Sequence, residues 1–438
     1  TSSRQHAGTH AGLHVKRNAA PRAVPGAVAL SPARVAAGLK FAGVGAILLG
    51  LLIPHALVFD VIQDREQYQA QASNEIGRAW GPDQVLAGPW LELPTRTPIA
   101  RPAAEGGGTV WQPGRVVVSA QRSRADVRLS PERRRRGLFE TVVYTARAEL
   151  SGRFAAPDPE RLRPGTEILW REASLVVGAS GLRAVSADSA LSLGGRERPV
   201  ADAEGERCGV LDLARLPMPM EPPVDGALPA GALDFAGRIE IRGSGGFSLA
   251  PLSRRSEAAI AAPWPTPSFN GAGLPIRSEV TPDGFRAEWS EGGLAPAGSI
   301  EPCSWAVSEA SGVALIEAVP TYRMVNRASK YATMFLALSF LTYALFELVA
   351  RVRIHPVQYA LLGASVVLFP LILLAFGEPL GFAAGYAIST AAVMAQASLF
   401  TAAVTRRPRL AALFAAVLGA LFGFLYVVLS LESYALLA

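Results

Sequence analysis

Five apolar stretches, each long enough to cross a bilayer, set the pattern of this chain. A helix needs roughly 20 apolar residues to span the hydrocarbon core. One stretch lies near the start of the chain and the other four follow one another at its C-terminal end. They cover residues 35–58, 331–349, 356–376, 379–404 and 410–431. The pattern predicts five transmembrane helices, and the first is a signal anchor because it is too long and too far along for a cleaved signal peptide.

A segment of mixed polarity follows the first stretch. Tyr68, Ala72, Ile76 and Trp80 recur every four residues, which places them on one face of a helix. Residues 60–80 are therefore predicted to form a helical stalk. We expect this stalk to continue the first membrane helix and to pack back onto the domain that follows.

Residues 81–325 have the pattern of a β-rich domain. In residues 142–150, apolar side chains such as Val142 and Tyr144 alternate with polar ones, which is typical of a strand with one buried face. Similar short segments are separated by Gly- and Pro-rich turns, a pattern that predicts a β-sandwich-like domain. A proline-rich stretch near 214–231 indicates a division into two lobes.

The basic residues predict the orientation of the helices, because Lys and Arg in short flanking segments stay in the cytoplasm. Six basic residues and no acidic residue precede Asp60, and the arginines after the second and fourth apolar stretches fall on the same side. We therefore expect a cytoplasmic, disordered tail over residues 1–34. Residues 60–330 and the C-terminus are expected outside the cytoplasm.

The net charge of +6 does not indicate a nucleic-acid partner. Residues 60–330 contain 31 basic and 33 acidic residues, so the large domain is nearly neutral and the excess lies mostly in the tail. A nucleic-acid-binding protein carries its surplus charge on the binding domain. The four consecutive arginines at 133–136 are accordingly read as a local feature at the start of a strand.

Histidine is missing where common catalytic sites would need it. No histidine occurs between His55 and His355, which excludes Ser-His-Asp and Cys-His triads and His-based zinc sites from the large domain. We predict no enzyme activity, catalytic residue, metal or cofactor. The acidic residues are read as a solvated surface. The alternative, a glycan hydrolase, needs two facing carboxylates about 5–10 Å apart.

The two cysteines, Cys208 and Cys303, both lie in the large domain. An even number of cysteines in an oxidising compartment permits one disulfide. The sequence does not show whether the two residues lie within bonding distance, so free thiols are the alternative.

Basic residues also mark the start of the second membrane helix. Arg323, Arg327 and Lys330 are spaced by four and three residues and so share a helix face. They are candidates for binding anionic lipid headgroups. The alternative is that their long side chains only extend from the helix to the interface.

Three polar residues interrupt the predicted membrane helices: Glu347, Gln358 and Gln396. Ionisable groups inside a membrane are costly and often functional, so a proton relay is one interpretation. The other is a salt bridge from Glu347 to Arg351, four residues on along the same helix face.

Several segments resemble the CreD family of inner-membrane proteins. Residues 327–363, RASKYATMFLALSFLTYALFELVARVRIHPVQYALLG, are similar to the R-x-x-K-Y and R-I-H-P-V-Q-Y signature of the family. Further resemblances lie at 80–94 (WGPDQVLAGPWLELP), 135–146 (RRGLFETVVYTA), 264–275 (WPTPSFNGAGLP), 284–289 (GFRAEW) and 424–437 (FLYVVLSLESYALL). The sequence departs from the family pattern at Thr266, where His is usual, and at Pro263 and Pro320, where Asp is usual. The Gly, Pro and aromatic positions are kept, which favours a pattern that encodes folding and packing more than catalysis. The alternative is that this chain is a divergent member that has lost a property of the family.

The resemblance implies an inner-membrane protein of bacteria with a periplasmic β-rich domain. It implies a non-enzymatic role in cell-envelope integrity and envelope stress, under a Cre-type two-component system. Arg351, Arg353 and His355 would hold the cytoplasmic loop at the lipid surface, and Pro356 starts a helix, where its missing N–H costs nothing.

Two hypotheses remain. In the first, the periplasmic domain binds envelope lipid, glycan or protein and the helices anchor it among membrane lipids. In the second, the bundle is a transporter or sensor of lipid or protons.

Overall fold

The computed structural model describes residues 32–100, 108–137, 139–157, 162–224, 228, 231–291, 308–315, 321–350, 354–405 and 408–435. Its long helices are α1 (Pro32–Trp80), α2 (Thr321–Ala350), α3 (Pro356–Leu380), α4 (Phe382–Thr405) and α5 (Pro408–Ala435). All five are long and apolar enough to cross a membrane. This confirms the predicted number of membrane helices and their division into one before and four after the large domain.

Helix α1 joins the predicted first membrane helix and the predicted stalk into one helix of 49 residues. The predicted packing face of the stalk was partly wrong. Tyr68 is 59 % exposed, and the residue that is buried near the end of the helix is Gly77. The periodicity of large side chains missed this contact, because a side chain at Gly77 would meet the side chain of Ser244 and only the smallest residue leaves room for it.

Within the described residues, seventeen strands lie between α1 and α2. They are β1 (Gln84–Ala100), β2 (Thr109–Val118), β3 (Ala120–Arg136), β4 (Phe139–Phe154), β5 (Glu167–Ile168), β6 (Ser174–Ala179), β7 (Ala190–Leu193), β8 (Arg196–Pro199), β9 (Glu204–Cys208), β10 (Leu211–Pro217), β11 (Asp234–Ser244), β12 (Gly246–Ala250), β13 (Ser256–Ala262), β14 (Pro267–Gly271), β15 (Arg277–Thr281), β16 (Gly284–Glu291) and β17 (Ser311–Leu315).

The strands form two sheets. The first sheet has the order β14-β17-β12-β1-β6-β10-β9, with β2 and β5 also paired to β1. The second has the order β15-β16-β13-β3-β4-β11-β7-β8. One hydrophobic core joins their inner faces, with Leu93 and Val177 from the first sheet and Tyr144 and Ile239 from the second. This confirms the predicted β-sandwich-like domain.

The predicted division into two lobes near 214–231 is wrong. Strand β4, before this stretch, pairs with β11, after it, from Val143↔Ser244 to Arg153↔Asp234. In the same way, β12 pairs in parallel with β1, and β13 pairs in parallel with β3. Strands from both sides of the proline-rich stretch therefore build both sheets, and the described chain forms one sandwich.

Helix α3 is the central helix of the bundle, since it packs against α1, α2 and α4, while α5 packs against α4 and α2. Small residues allow the closest approach between α3 and α4. A Cβ atom added at Gly385 would lie 2.6 Å from the backbone nitrogen of Gly377. Gly385 ends the segment GFAAG (381–385), and α5 carries a similar segment, GALFG (419–423). Gly423 has open space around it, whereas a Cβ atom added at Gly419 would lie 3.1 Å from the methyl carbon of Met394. The backbones of two helices therefore meet at the first segment, and the second contacts a flexible side chain.

Candidate functional site

The end of α1 is fixed to the second sheet by an aromatic ring held between two arginines. The guanidinium of Arg134 lies 4.3 Å from the ring centroid of Trp80, and that of Arg242 lies 5.1 Å from it. The indole Nε1 donates a hydrogen bond of 3.1 Å to the carbonyl of Tyr144. Each such cation–π contact is worth about 0.5–1 kcal/mol where exposed, and more when desolvated.

An ion pair and a close contact at a glycine extend this attachment along α1. Glu75 pairs with Arg136 at 2.7 Å. A Cβ atom at Gly77 would lie 2.7 Å from the Ser244 side-chain oxygen, which itself donates a hydrogen bond to the carbonyl of Gly81. We call the group Glu75, Gly77, Trp80, Arg134 and Arg136 the stalk clasp.

The stalk clasp gives the arginine run a role that the sequence did not reveal. Arg134 and Arg136 contact α1, whereas Arg133 and Arg135 pair with Glu140 on the neighbouring strand. The alternation follows from the strand geometry, because successive side chains point to opposite faces. The signal that was available was Trp80 at the end of a helix together with four consecutive arginines next to a strand pattern, since every second arginine of a strand lies on the same face.

A buried polar group lies where α1 enters the sandwich. The Tyr144 side chain is fully buried, and its hydroxyl donates to the carbonyl of Gly246. Burial raises the pKa of Tyr144 above its ordinary value. Gln84 donates a hydrogen bond of 2.9 Å to the carbonyl of Arg242. Residues of β1, β4 and β11 thus connect the end of α1 to both sheets.

At the end of the bundle nearest the sandwich, which we call the proximal end, polar side chains tie the helices together. Asn326 of α2 accepts a 2.9 Å hydrogen bond from Gln63 of α1 and donates one of 2.8 Å to Glu66. The Tyr322 hydroxyl donates to Glu378 of α3 at 2.7 Å. Phe139, at the tip of the β3–β4 hairpin, packs against Tyr322 with ring centroids 6.2 Å apart. The sandwich therefore touches the bundle at a second place, apart from α1.

At the opposite, distal end, Glu347 forms an ion pair with Lys40 of α1. The Tyr359 hydroxyl of α3 lies 3.4 Å from the second oxygen of the Glu347 carboxylate. The side chains of Lys40 and Glu347 are 25 % and 15 % exposed. Arg351, the partner expected from the sequence, lies outside the described residues.

The two sets of contacts are separated by about one bilayer core. Lys40 precedes Gln63 by 23 residues, and Asn326 precedes Glu347 by 21 residues. At 1.5 Å per residue these intervals correspond to about 32–35 Å, close to the ~30 Å hydrocarbon thickness. The polar contacts of α1 and α2 therefore lie at the two levels where a membrane would end.

The remaining predicted membrane-side residues are not brought together. Arg323 and Lys330 are exposed at the proximal end of α2, and Arg327 is half-buried. Gln358 is buried in α3, whereas Gln396 is exposed on α4 and points away from the bundle interior.

At the distal end, the His355 side chain caps α3 by accepting a 3.3 Å hydrogen bond from the Val357 backbone. Its predicted neighbour Arg353 lies outside the described residues. The expectation that these residues hold the loop at the lipid surface stays a prediction.

One polar residue of the membrane helices was missed. His55 lies within α1, directly after Pro54, and its Nδ1 atom is buried without a hydrogen-bond partner in the described chain. A histidine inside an apolar run was the available signal.

The outward face of the first sheet carries Cys208 and a buried carboxylate. Cys208 is disulfide-bonded, and its pairing with Cys303 stays a prediction because Cys303 lies outside the described residues. Nearby on this sheet, Glu92 is 5 % exposed and accepts hydrogen bonds from Trp90 at 3.1 Å and from Arg215 at 2.9 and 3.1 Å. Arg215 also donates to Glu206 at 2.6 Å, which lowers the pKa of Glu206.

An open groove of about 580 Å³ lies on the outward face of the second sheet. Its walls come from β3, β13, β15 and β16 and include Arg128, Arg286, Glu279 and Asp283. The volume falls in the range of small-molecule sites, about 300–1,000 Å³. In the part of the chain that the structure describes, no group of three His, Cys, Asp or Glu residues is placed to hold a metal ion.

The family model for "Inner membrane protein CreD" matches residues 36–438. The chain belongs to the CreD family. It is also 28 % identical over 360 residues to the inner membrane protein CreD of Escherichia coli strain K12, covering 79 % of this chain and 76 % of that protein. The protein is thus a CreD-family inner membrane protein with five membrane-spanning helices and a β-sandwich between the first and the second.

Proposed function

We propose that the protein supports cell-envelope integrity and the response to envelope stress, acting without catalysis as a binding or scaffolding module. In this proposal the sandwich lies in the periplasm, binds envelope lipid, glycan or protein, and is held at a fixed position by the helices. The N-terminus lies in the cytoplasm and the C-terminus in the periplasm, in keeping with the distribution of basic residues.

The observation that carries the proposal is the double attachment of the sandwich to the bundle. Helix α1 passes without a break from the membrane into the stalk clasp, and Phe139 packs separately on Tyr322. A domain tethered only by a flexible linker would need neither contact. Two rigid attachments fix the height and orientation of the sandwich, as a scaffold requires.

The charges of the bundle favour an anchor over a transporter. Residues 331–346, 357–377, 382–403 and 411–430 contain no Asp, Glu, Lys or Arg. Glu347 is paired with Lys40, and Glu378 accepts a hydrogen bond from Tyr322. A proton relay uses a chain of carboxylate or imidazole groups along the path. Glu347 and Glu378 lie at opposite ends of the bundle, and between them the described helices carry a single imidazole, that of His55 in α1.

The exposed basic residues at the proximal end fit the same proposal. Arg323 and Lys330 extend from α2 at the level where the membrane would end. There they would contact anionic lipid headgroups together with Arg327, each contributing about 1 kcal/mol.

The proposal is tested by envelope tolerance in a bacterial strain that lacks its own CreD-family gene. One variant carries Trp80→Leu and Arg134→Ala, which remove the clasp. Another carries Glu347→Leu, Gln358→Leu and Gln396→Leu, which remove the three polar residues predicted inside the membrane helices. It also carries Lys40→Met, so that the partner of Glu347 is not left as an unpaired charge. Membrane levels of both proteins are matched by immunoblot.

We expect the bundle variant to restore tolerance to detergent and antibiotic, and the clasp variant to fail although it reaches the membrane. Failure of the bundle variant at normal protein level, with a functional clasp variant, would instead establish the transporter or sensor hypothesis.

A further inference from the structure

Four neighbouring strands place a row of side chains across the outward face of the second sheet. Ala261 of β13 is paired with Arg128 of β3 on one side and with Arg286 of β16 on the other. Arg286 is in turn paired with Glu279 of β15. The next residue on each of the three inner strands, Leu129, Ala262 or Phe285, is buried in the core. The row Glu279–Arg286–Ala261–Arg128 therefore points away from the core.

Ala261 forms the floor of the groove because its side chain is short. The strands on both sides of β13 carry arginines, and neighbouring strands lie about 4.8 Å apart, so the backbones of Arg128 and Arg286 are about 10 Å from each other. Long side chains from both sides can converge above the alanine. The hydroxyls of Ser130 and Thr281 also line the groove.

Arg128 on β3 is available to form an ion pair with a ligand. Its neighbours Arg124, Arg147 and Arg286 each pair with a carboxylate. Arg128 has no such partner within the described ranges. Arg286 uses its Nε for Glu288 at 3.2 Å, and one terminal nitrogen lies 3.8 Å from Asp126, which leaves it further donors. A free arginine facing a partly satisfied one suits a phosphate, which guanidinium groups bind with several hydrogen bonds.

The opposite end of the groove has the opposite charge. Glu279 and Asp283 both line it, and neither forms an ion pair in the portion of the chain described. Glu279 is one strand beyond Arg286, so the negative end lies about 5 Å further across the sheet. A purely anionic ligand would be repelled at this end, whereas an ammonium group would be attracted.

We propose that this groove binds a phosphoethanolamine group, with the phosphate above Ala261 between Arg128 and Arg286, and the ammonium against Glu279 and Asp283. Two carbons separate the ammonium nitrogen from the ester oxygen of the phosphate. Glu279 is on the second strand from Ala261, so their backbones are about 10 Å apart, a gap that the ligand and the long Glu279 side chain span together. The inference rests on the proposed role of the sandwich as a binding module and names its ligand chemistry. The group could be carried by a phospholipid or by a substituted glycan, and both present the same atoms.

The groove lies on the face of the sheet that holds the stalk. Arg128 and Arg134 lie on β3, six residues apart and therefore on the same face, which corresponds to about 20 Å. Arg134 stacks on Trp80 at the end of α1. Because α1 passes into the membrane, a ligand bound in the groove would be held at a fixed distance from the bilayer.

The test is calorimetric titration of the full-length protein, in detergent without ethanolamine lipids, with O-phosphoethanolamine, glycerol phosphate and phosphocholine. We expect saturable binding of O-phosphoethanolamine at millimolar concentration or below, with the other two probes bound roughly tenfold more weakly. Glycerol phosphate has no ammonium for the carboxylates, and the quaternary nitrogen of phosphocholine cannot donate hydrogen bonds to them.

Single variants assign the site. Arg128→Gln and Arg286→Gln should each weaken binding roughly tenfold, and Ala261→Leu should abolish it by filling the floor. Glu279→Gln should remove the preference for O-phosphoethanolamine over glycerol phosphate. Arg207→Gln is the matched control, because Arg207 is an exposed arginine on β9 of the other sheet. Unchanged melting temperatures separate loss of binding from loss of folding.

Three outcomes would overturn the proposal: no saturable binding to the native protein, equal binding of all three probes, or equal weakening by Arg207→Gln.

Titration with short-chain phosphatidylethanolamine, below its micelle concentration, identifies whether a lipid or a glycan carries the phosphoethanolamine group. Tighter binding than O-phosphoethanolamine supports a lipid, and equal binding supports a group carried on a glycan.

The envelope-tolerance assay keeps this inference distinct from the proposed function. If the groove does not bind but clasp variants still lose tolerance, the scaffold proposal stands with another ligand. If the groove binds but clasp variants keep tolerance, the site stands and the scaffold proposal fails.

Discussion

Lys40 and Glu347 form an ion pair at the distal end of the bundle, although 307 residues separate them in the chain. The whole β-sandwich is inserted between these two partners. The pair therefore fixes how α1, which precedes the sandwich, meets α2, which follows it. An ion pair that is mostly shielded from solvent depends on both partners, because either charge left alone is costly.

Removing one partner of this pair should destabilise the bundle more than removing both. We expect Glu347→Gln or Lys40→Met alone to lower the free energy of unfolding by about 2–3 kcal/mol. The double variant Lys40→Met/Glu347→Leu should recover at least half of this loss. Unfolding by a denaturing detergent measures the cycle, and additive losses in the double variant would contradict the pairing.

The stalk clasp predicts a local effect on α1. Arg134→Ala should cost about 1 kcal/mol and speed amide hydrogen exchange in residues 72–80, while exchange in the bundle stays unchanged. In a protein that already carries Trp80→Leu, Arg134→Ala should have little further effect, because both changes break the same contact. Arg133→Ala is the matched control, since Arg133 contacts Glu140 rather than α1. If the control had an equal effect, the charge of the arginine run, and not the stacking of Arg134 on Trp80, would hold the end of α1.

Gly385 of the segment GFAAG and Gly423 of the segment GALFG should respond differently to alanine. Gly385→Ala should destabilise the protein by about 1–3 kcal/mol, because the new methyl group meets the backbone of Gly377. Gly423→Ala should be neutral or stabilising by up to about 1 kcal/mol, since its surroundings are open and alanine favours the helix. Melting temperatures in detergent provide the comparison. A loss at Gly423 as large as that at Gly385 would contradict the helix packing described above.

The charge network on the first sheet predicts a large effect from its buried member. Arg215→Met leaves the Glu92 carboxylate, whose side chain is 7 % exposed, with the Trp90 hydrogen bond and a longer contact of 3.9 Å to Arg115. We expect a loss of about 3 kcal/mol in the free energy of unfolding. Arg207→Met on the neighbouring strand is the control, and a loss as small as that of the control would mean that Glu92 is solvated.

Glu206 should give the same network a dependence on pH. Its pKa is lowered below its ordinary value of 4.5 because Arg215 donates a hydrogen bond to the carboxylate. A lowered folded-state pKa stabilises the protein above the unfolded value, and the gain is lost as the pH falls through the folded value. Glu206→Gln should therefore cost about 0.5 kcal/mol at pH 7, since the side chain is half exposed. The difference should shrink as the pH falls below 4.5 and vanish once the pH is below the folded-state pKa. If the difference did not change with pH, packing of the side chain would be its cause.

The membrane helices and the sandwich could be predicted because both depend on local patterns. Apolar runs give the helices, although α2 begins at Thr321 rather than 331, because the polar turns before the apolar run are helical too. Alternation gives strands such as β4, whose predicted inward residues Val142, Tyr144 and Leu150 are buried.

Pairings between distant parts of the chain could not be predicted in the same way. The sequence around Glu347 offers Arg351 four residues on, and nothing in it points to Lys40. The proline-rich stretch near 214–231 resembles a linker, yet the strands on its two sides are neighbours in both sheets. The groove could not be predicted from the sequence either, because its residues form a row only once the registers of the strands are set. The row consists of Arg128, Ala261, Arg286 and Glu279.

The unbroken course of α1 has a mechanical consequence. From its contact with α2 at Gln63 to Trp80 the helix extends 17 residues, or about 25 Å. If α1 leans by about 10° around that contact, its far end moves sideways by about 4 Å, and the stalk clasp carries the sandwich with it. A change of bilayer thickness that alters helix tilt therefore reaches the sandwich as a displacement, with α1 as the lever arm.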